Sequence, residues 1–289
     1  MNISGHTKLT GLIGRPVSHS ISPAMHNEAF EQLDLDYRYL AFDIKPDDIE
    51  DAIKGLKAIG ILGFNITMPY KSIVSTLVDE LTPVSRITGA CNTVINQNGR
   101  FIGHTTDGIG FMKAAEDAGY QIIGQKMTLL GAGGAATAIC AQAALDGVTE
   151  IDIFEQPTEP YFSKAKAFAE RIRQHTDCCI CVYPITDFQQ LKQSISQSYI
   201  LTNATSVGMA PDTDSCLIPD QSYLPSDLIV CDIIYNPMET RLLQLARSAG
   251  CRTFNGLYML LFQGAASFEC WTGQKMPIEL IRKKYFLGE

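Results

Sequence analysis

The chain has 289 residues, 46% of them hydrophobic and 19% charged, with a formal net charge of -8. That length buries a substantial core and fits two domains, or one with a large insertion, and the composition excludes disordered, collagen-like and coiled-coil classes. With a pI near 5.2 and scattered Lys and Arg there is no basic stripe for nucleic acid, and nine cysteines and five dispersed histidines without disulfide or zinc spacing predict reduced thiols and no metal site.

The opening MNISGHTKLTGLIG lacks a basic segment followed by a long apolar run, and no later run reaches the length of a membrane span, so a cytoplasmic protein with no membrane partner is expected. Up to about residue 107, short apolar runs (LTGLIG, YRYLAFDI, ILGFNIT, NTVIN) alternate with helical patterns (PAMHNEAFEQL, PDDIEDAIKGLKAIG), the signature of an α/β layer. Ser22 before Pro23 predicts an N-cap with a first-turn proline, and Thr67 and Pro69 predict the start of a second helix with Lys71 in its first turn. Asp107, before Gly108, predicts an N-cap for the helix GFMKAAEDAG. A second series follows: strand MTLL, a small-residue helix from Gly134, strand EIDIF, a helix from about Tyr161 to Gln174, and strands CCICV, YILTN and LIVCDII. This is the rhythm of a doubly wound, Rossmann-like parallel sheet. The last long helix, LYMLLFQGAASFECW, is apolar almost all round and predicts burial.

Directly after strand 126–130 stands Gly131-Ala132-Gly133-Gly134-Ala135-Ala136, which fits G-x-G-x-x-G/A in the required strand, turn and helix context. The first glycine permits the turn, the second lets the backbone approach a pyrophosphate, and Ala136 lets the helix pack closely. The phosphates would sit on N–H groups at the positive end of the helix. Glu155, 24 residues beyond Gly131, ends the next strand, where an acidic residue receives the ribose hydroxyls of NAD.

Other motifs occur along the chain: Ser18-His19-Ser20-Ile21-Ser22-Pro23, Phe64-Asn65-Ile66-Thr67-Met68-Pro69-Tyr70-Lys71, Gly89-Ala90-Cys91-Asn92-Thr93, Gly103 to Gly108, Asn203-Ala204-Thr205-Ser206-Val207-Gly208-Met209, Tyr235-Asn236-Pro237 and Gly256 to Gly264. In this order, and over nearly the whole chain, they resemble the shikimate dehydrogenase family, most closely its quinate/shikimate branch. Two positions depart from the family pattern, Thr105 where Asn is usual and Asn255 where Asp is frequent.

The resemblance implies a two-domain α/β protein. Residues 1–107 with 256–289 would form the substrate domain and residues 108–255 the cofactor domain, with the active site in the cleft between them. It implies reversible oxidation of shikimate, with quinate as a further substrate, using NAD or NADP, in a monomer or homodimer. Lys71 and Asp107 would handle the proton. Ser18, Ser20, Asn65, Thr67, Asn92, Tyr235 and Gln263 would bind substrate. Gly131, Ala132, Gly133, Gly134, Ala135, Glu155, Thr205, Val207, Met209, Gly256 and Met259 would bind the cofactor.

Local sequence alone supports plainer readings beside these. Ser18 and Ser20 fit a polar turn bonding its own backbone, Lys71 an exposed lysine, Asp107 a simple cap, and Asn65, Asn92 and Gln263 satisfied core amides. Tyr39 and Tyr235 fit core aromatics. Lys71 has one further argument: a helix start disfavours an ammonium ion, and an environment that lowers a lysine pKa favours proton acceptance. At the cofactor end, Glu155-Gln156 stands where NADP-using relatives carry Asn-Arg, which predicts NAD preference. A strictly biosynthetic NADP enzyme, a non-catalytic regulator on the same fold and a folate-specific dehydrogenase are the rival readings.

Overall fold

The computed structural model describes residues 3–287. The chain divides into two compact units: one runs to Thr106 and resumes at Leu261, and the other spans Asp107–Leu260. The later division falls inside a continuous helix, a few residues beyond Gly256.

The first unit comprises β1 (Lys8–Gly14), α1 (Ser22–Gln32), β2 (Tyr37–Asp43), α2 (Ile49–Ala58), β3 (Gly63–Ile66), α3 (Lys71–Val74), β4 (Glu80–Leu81), α4 (Pro83–Thr88), β5 (Thr93–Gln97) and β6 (Arg100–His104). Its sheet has the order β2-β1-β3-β5-β6-β4. β1 pairs in parallel with β2 and β3, and β5 runs antiparallel to both β3 and β6. α2 buries Ile49, Ile53 and Leu56, the spacing of one helical face, in a core shared with Ile13, Phe64 and Val94. The last two helices, introduced below, bring residues from Leu261 onward back to this unit.

The second unit continues with α5 (Asp107–Asp117), β7 (Lys126–Leu130), α6 (Gly134–Asp146), β8 (Glu150–Glu155), α7 (Tyr161–Arg173), β9 (Cys179–Pro184), α8 (Phe188–Gln197), β10 (Ile200–Asn203), β11 (Ile229–Asp232), α9 (Arg241–Ser248) and β12 (Arg252–Asn255); α10 (Leu257–Thr272) and α11 (Ile278–Tyr285) follow. The sheet order β12-β11-β10-β7-β8-β9 is all parallel, the doubly wound arrangement whose order reverses between β7 and β10. β10 and β11 are buried throughout, as strands covered on both faces must be.

Several local expectations need correction. Ile21, not Ser22, is the N-cap of α1. Ser22 is already helical, and its N–H donates to Ser20 Oγ at 3.2 Å, so the capping oxygen comes from two residues earlier. The helix expected from Thr67 and Pro69 begins only at Lys71 and is a single turn. Asp107 is the first residue of α5 rather than its cap, one position from the expectation and within the usual ambiguity of helix ends. Along α10, Leu261, Phe268 and Trp271 are buried, while Leu257 and Phe262 are only half-buried and Glu269 is exposed.

Candidate active site

In the first unit, register brings the expected substrate residues to one edge of the sheet. Ile13 pairs with Ile66, Asn65 with Thr93, and Thr93 with His104. The loop after β1 with Ser18 and Ser20, the loop after β3 with Thr67 and Lys71, and the residues flanking β5 and β6, Asn92 and Thr106, therefore emerge together. Thr67 N–H donates to the Ile13 carbonyl at 2.9 Å and Cys91 N–H to the Lys71 carbonyl at 3.0 Å, which pins Lys71 beside the turn carrying Asn92. Burial pushes the Cys91 thiol up to about 12, with the Lys71 ammonium pulling the other way. Cys91 is thus a neutral thiol and not a nucleophile near pH 7.

The buried amides form one network. Asn65 accepts from Tyr39 Oη at 2.8 Å and donates toward Ser267 Oγ at 2.9 Å, Thr93 Oγ1 at 3.0 Å and the Asn92 carbonyl at 3.1 Å. Thr106 N–H donates to Asn92 Oδ1 at 2.8 Å, so the Asn92 amide nitrogen faces Thr106 Oγ1 at 3.0 Å and Gln263 Oε1 at 3.3 Å. A backbone N–H can only donate, and this fixes which way the Asn92 amide points. Asn65, Asn92 and Gln263 are therefore gathered in one place. Ser20 uses its acceptor side within its own turn, the plainer reading of that motif, and keeps its O–H to donate; Ser18 is exposed.

In the second unit the glycine turn links β7 to α6. Gly131 has φ of 96°, and a Cβ there would stand 2.7 Å from Thr205 Cγ2, so both conformation and space demand glycine. Gly133 and Gly134 are exposed at the start of α6, and a Cβ on Gly133 would meet nothing within 4 Å among the described residues beyond its chain neighbours. The turn thus leaves open space at a helix N-terminus and fits a dinucleotide pyrophosphate. Glu155 is half-buried with its carboxylate turned onto this turn: it accepts from Ala132 N–H at 2.6 Å and Gln156 N–H at 2.7 Å. Its carboxylate therefore faces the turn and not the solvent beyond the strand end.

Thr205 and Val207 lie in the loop after β10, with Met209 exposed at its end. Tyr235, expected at the substrate, is an exposed residue of the second unit in the loop after β11. Gly256 is buried, and a Cβ there would collide with the Ile233 carbonyl; Met259 is buried one turn into α10.

Comparison with known proteins identifies relatives of the whole chain. Residues 12–94 match the shikimate dehydrogenase substrate binding domain and residues 256–284 the shikimate 5'-dehydrogenase C-terminal domain. The shikimate dehydrogenase (NADP(+)) of Listeria monocytogenes is 48% identical over 284 residues, 98% of this chain and 97% of that protein. The quinate/shikimate dehydrogenase of Escherichia coli is 43% identical over 288 residues, 100% of both chains. A crystal structure of shikimate 5-dehydrogenase from Listeria monocytogenes in complex with shikimate and NAD superposes with a TM-score of 0.93 at 48% identity, covering 98% of each chain.

The chain belongs to the shikimate dehydrogenase family. It is accordingly an NAD(P)-dependent oxidoreductase. Of the two departures from the family pattern, Thr105 is buried, and Asn255 both donates to the Met238 carbonyl at 3.0 Å and accepts from Leu257 N–H at 3.1 Å, capping α10. Sequence reasoning missed Thr93, Thr106 and Ser267, the hydroxyls that knit the amides of this shikimate dehydrogenase relative together. Ser267 stands four residues after Gln263 on the same helix face and donates to its carbonyl at 3.0 Å, so helical spacing could have found it. It also missed Asn203 and Asp232, whose partners become visible only once β10 and β11 are paired. No helix among the described residues is long and apolar enough to cross a membrane.

Proposed function

We propose that this chain reversibly oxidises shikimate to 3-dehydroshikimate, accepts quinate as a second substrate, and prefers NAD to NADP. The first unit takes the substrate and the second the cofactor. The observation that carries the substrate reading is the convergence of Ser20, Thr67, Lys71 and the Asn65–Asn92–Gln263 amides on one sheet edge. Hydroxyls and amides suit a polyhydroxylated ring acid, and a lysine among them suits a carbinol that must lose a proton. When bound, the nicotinamide accepts and returns the hydride. Lys71 and Asp107 handle the hydroxyl proton, Ser18 and Ser20 receive the carboxylate, and the amides orient the ring. The relatives named for shikimate, and the one named for quinate and shikimate, support this substrate class.

The NAD preference rests on Glu155. Its carboxylate is held against the glycine turn by Ala132 and Gln156 N–H groups, where it can accept from ribose hydroxyls and would repel a 2′-phosphate. Lys164 and Lys166 on α7 are the nearest cations in sequence that could hold a 2′-phosphate, and Lys166 lies over the Phe162 ring at 4.6 Å. Steady-state kcat/KM for shikimate and quinate against NAD and NADP tests the whole reading. Wild type should favour NAD, and Glu155→Asn with Gln156→Arg should move the preference toward NADP. A wild type that favours NADP, or a double variant with an unmoved ratio, rejects this loop as the selector.

A further inference from the structure

Asn203 ends β10 and Asp232 ends β11, and the two are register partners at the carboxyl edge of the second sheet. Both are buried, and no ion pair neutralises Asp232 among the described residues. The Asn203 amide is saturated. Its Oδ1 accepts from Thr205 N–H at 3.1 Å and Thr205 Oγ1 at 2.7 Å, and its Nδ2 donates to the Val207 carbonyl at 3.2 Å and to Asp232 Oδ1 at 3.1 Å. An amide offers two N–H groups and two lone pairs, so none is left for a ligand.

Asp232 decides which way that amide faces. It accepts from Ile234 N–H at 3.1 Å and from Thr240 Oγ1 at 2.7 Å, which keeps it an acceptor and requires the Asn203 nitrogen, not its oxygen, to face it. The oxygen is thereby committed to Thr205, whose own Oγ1 accepts from Val207 N–H at 3.1 Å. Thr205 in turn packs against the turn at Gly131, across the β7–β10 junction where doubly wound sheets bind their ligands.

We propose that Asn203, oriented by Asp232, is a positioning residue for the cofactor: it holds the loop from Thr205 to Met209 preformed against the glycine turn before any dinucleotide arrives. This rests on the reading that the second unit binds a nicotinamide dinucleotide. A loop left to order only on binding would weaken affinity by the cost of that ordering.

The test is equilibrium binding of NADH, followed by its fluorescence, beside calorimetric binding of shikimate and thermal unfolding. Asn203→Ala should raise the NADH Kd about tenfold, the scale of losing a buried hydrogen-bond set, and leave the shikimate Kd unchanged. Asn203→Asp keeps the size, loses both N–H donors and faces a second carboxylate, so its NADH Kd should rise at least as far. A folded Asn203→Ala or Asn203→Asp protein with the wild-type NADH Kd overturns the proposal, as does an equal loss of shikimate binding. Hydrogen exchange on the wild type decides the case even where a variant fails to fold. The Thr205 and Val207 amides should be protected without cofactor, and exchange at the rate of an unstructured chain overturns the proposal. A wild type that binds neither NADH nor NADPH would instead reject the underlying cofactor reading.

Discussion

Lys71 opens a helix of only four residues, so few aligned peptide dipoles act on its ammonium and the field argument drawn from the sequence loses weight. Its place beside the Cys91–Asn92 turn, which the carbonyl bond to Cys91 fixes, carries the assignment instead. Lys71→Ala should lower kcat by about 10² to 10⁴, the usual contribution of a positioned acid-base group, with a smaller change in KM. Combined with Asp107→Asn it should lose less than the product of the single losses. Near-normal turnover in a folded Lys71→Ala protein removes the lysine from the proton chemistry. His26, which the sequence did not single out, shows what burial alone does. It is stacked on Tyr39 at 4.4 Å between ring centroids, neither ring nitrogen has a hydrogen-bond partner among the described residues, and burial pushes its pKa down to about 3. The unfolded chain takes up this proton near pH 6.5 while the folded one refuses it until about pH 3, so stability falls as pH drops through that window and is unaffected above it. The expected slope is about 1.4 kcal/mol per pH unit for this one group. Urea midpoints at pH 7 and pH 5 should separate less in His26→Phe than in the wild type; equal separation means His26 does not contribute.

Two amphipathic helices were legible because their spacing is local: α2 buries Ile49, Ile53 and Leu56, and α7 buries Ala165, Phe168, Ala169 and Ile172. The two-residue β4 and the antiparallel pairing of β3, β5 and β6 were not, since pairing direction depends on distant partners rather than on periodicity. The glycine turn was legible because its chemistry is local and its flanking elements are long. Gly131→Ala should cost about 1 to 2 kcal/mol from its left-handed backbone alone, and more from the approach of Thr205 at 2.7 Å. Urea unfolding together with an NADH titration checks this. A variant of wild-type stability would mean that the turn relaxes without strain.

The proposed chemistry is divided between the two units. The glycine turn, Glu155 and the loop after β10 lie between Asp107 and Leu260, whereas the amide network draws on residues up to Thr106 and after Leu261. A ligand that binds only the folded second unit should stabilise the protein by mass action. NADH at a hundred times its Kd should add about 2.7 kcal/mol to the unfolding free energy, and NADPH at the same concentration should add less if Glu155 repels its phosphate. Equal stabilisation by the two cofactors would contradict the selectivity argued from that carboxylate.

By itself the sequence determined the fold class, the glycine turn between β7 and α6 and the identities of the polar residues that gather at one edge of the first sheet, because each depends on residue type at short spacing. The tertiary structure decided what long-range pairing alone can bring about. Ser267 reaches Asn65 across 202 positions of chain, and Asp232 faces Asn203 because β10 and β11 lie side by side. Glu155 turns toward Ala132 because β8 runs parallel beside β7. A carboxylate or amide in a sequence states its hydrogen-bonding capacity, but only the packed backbone determines which donors and acceptors fill it.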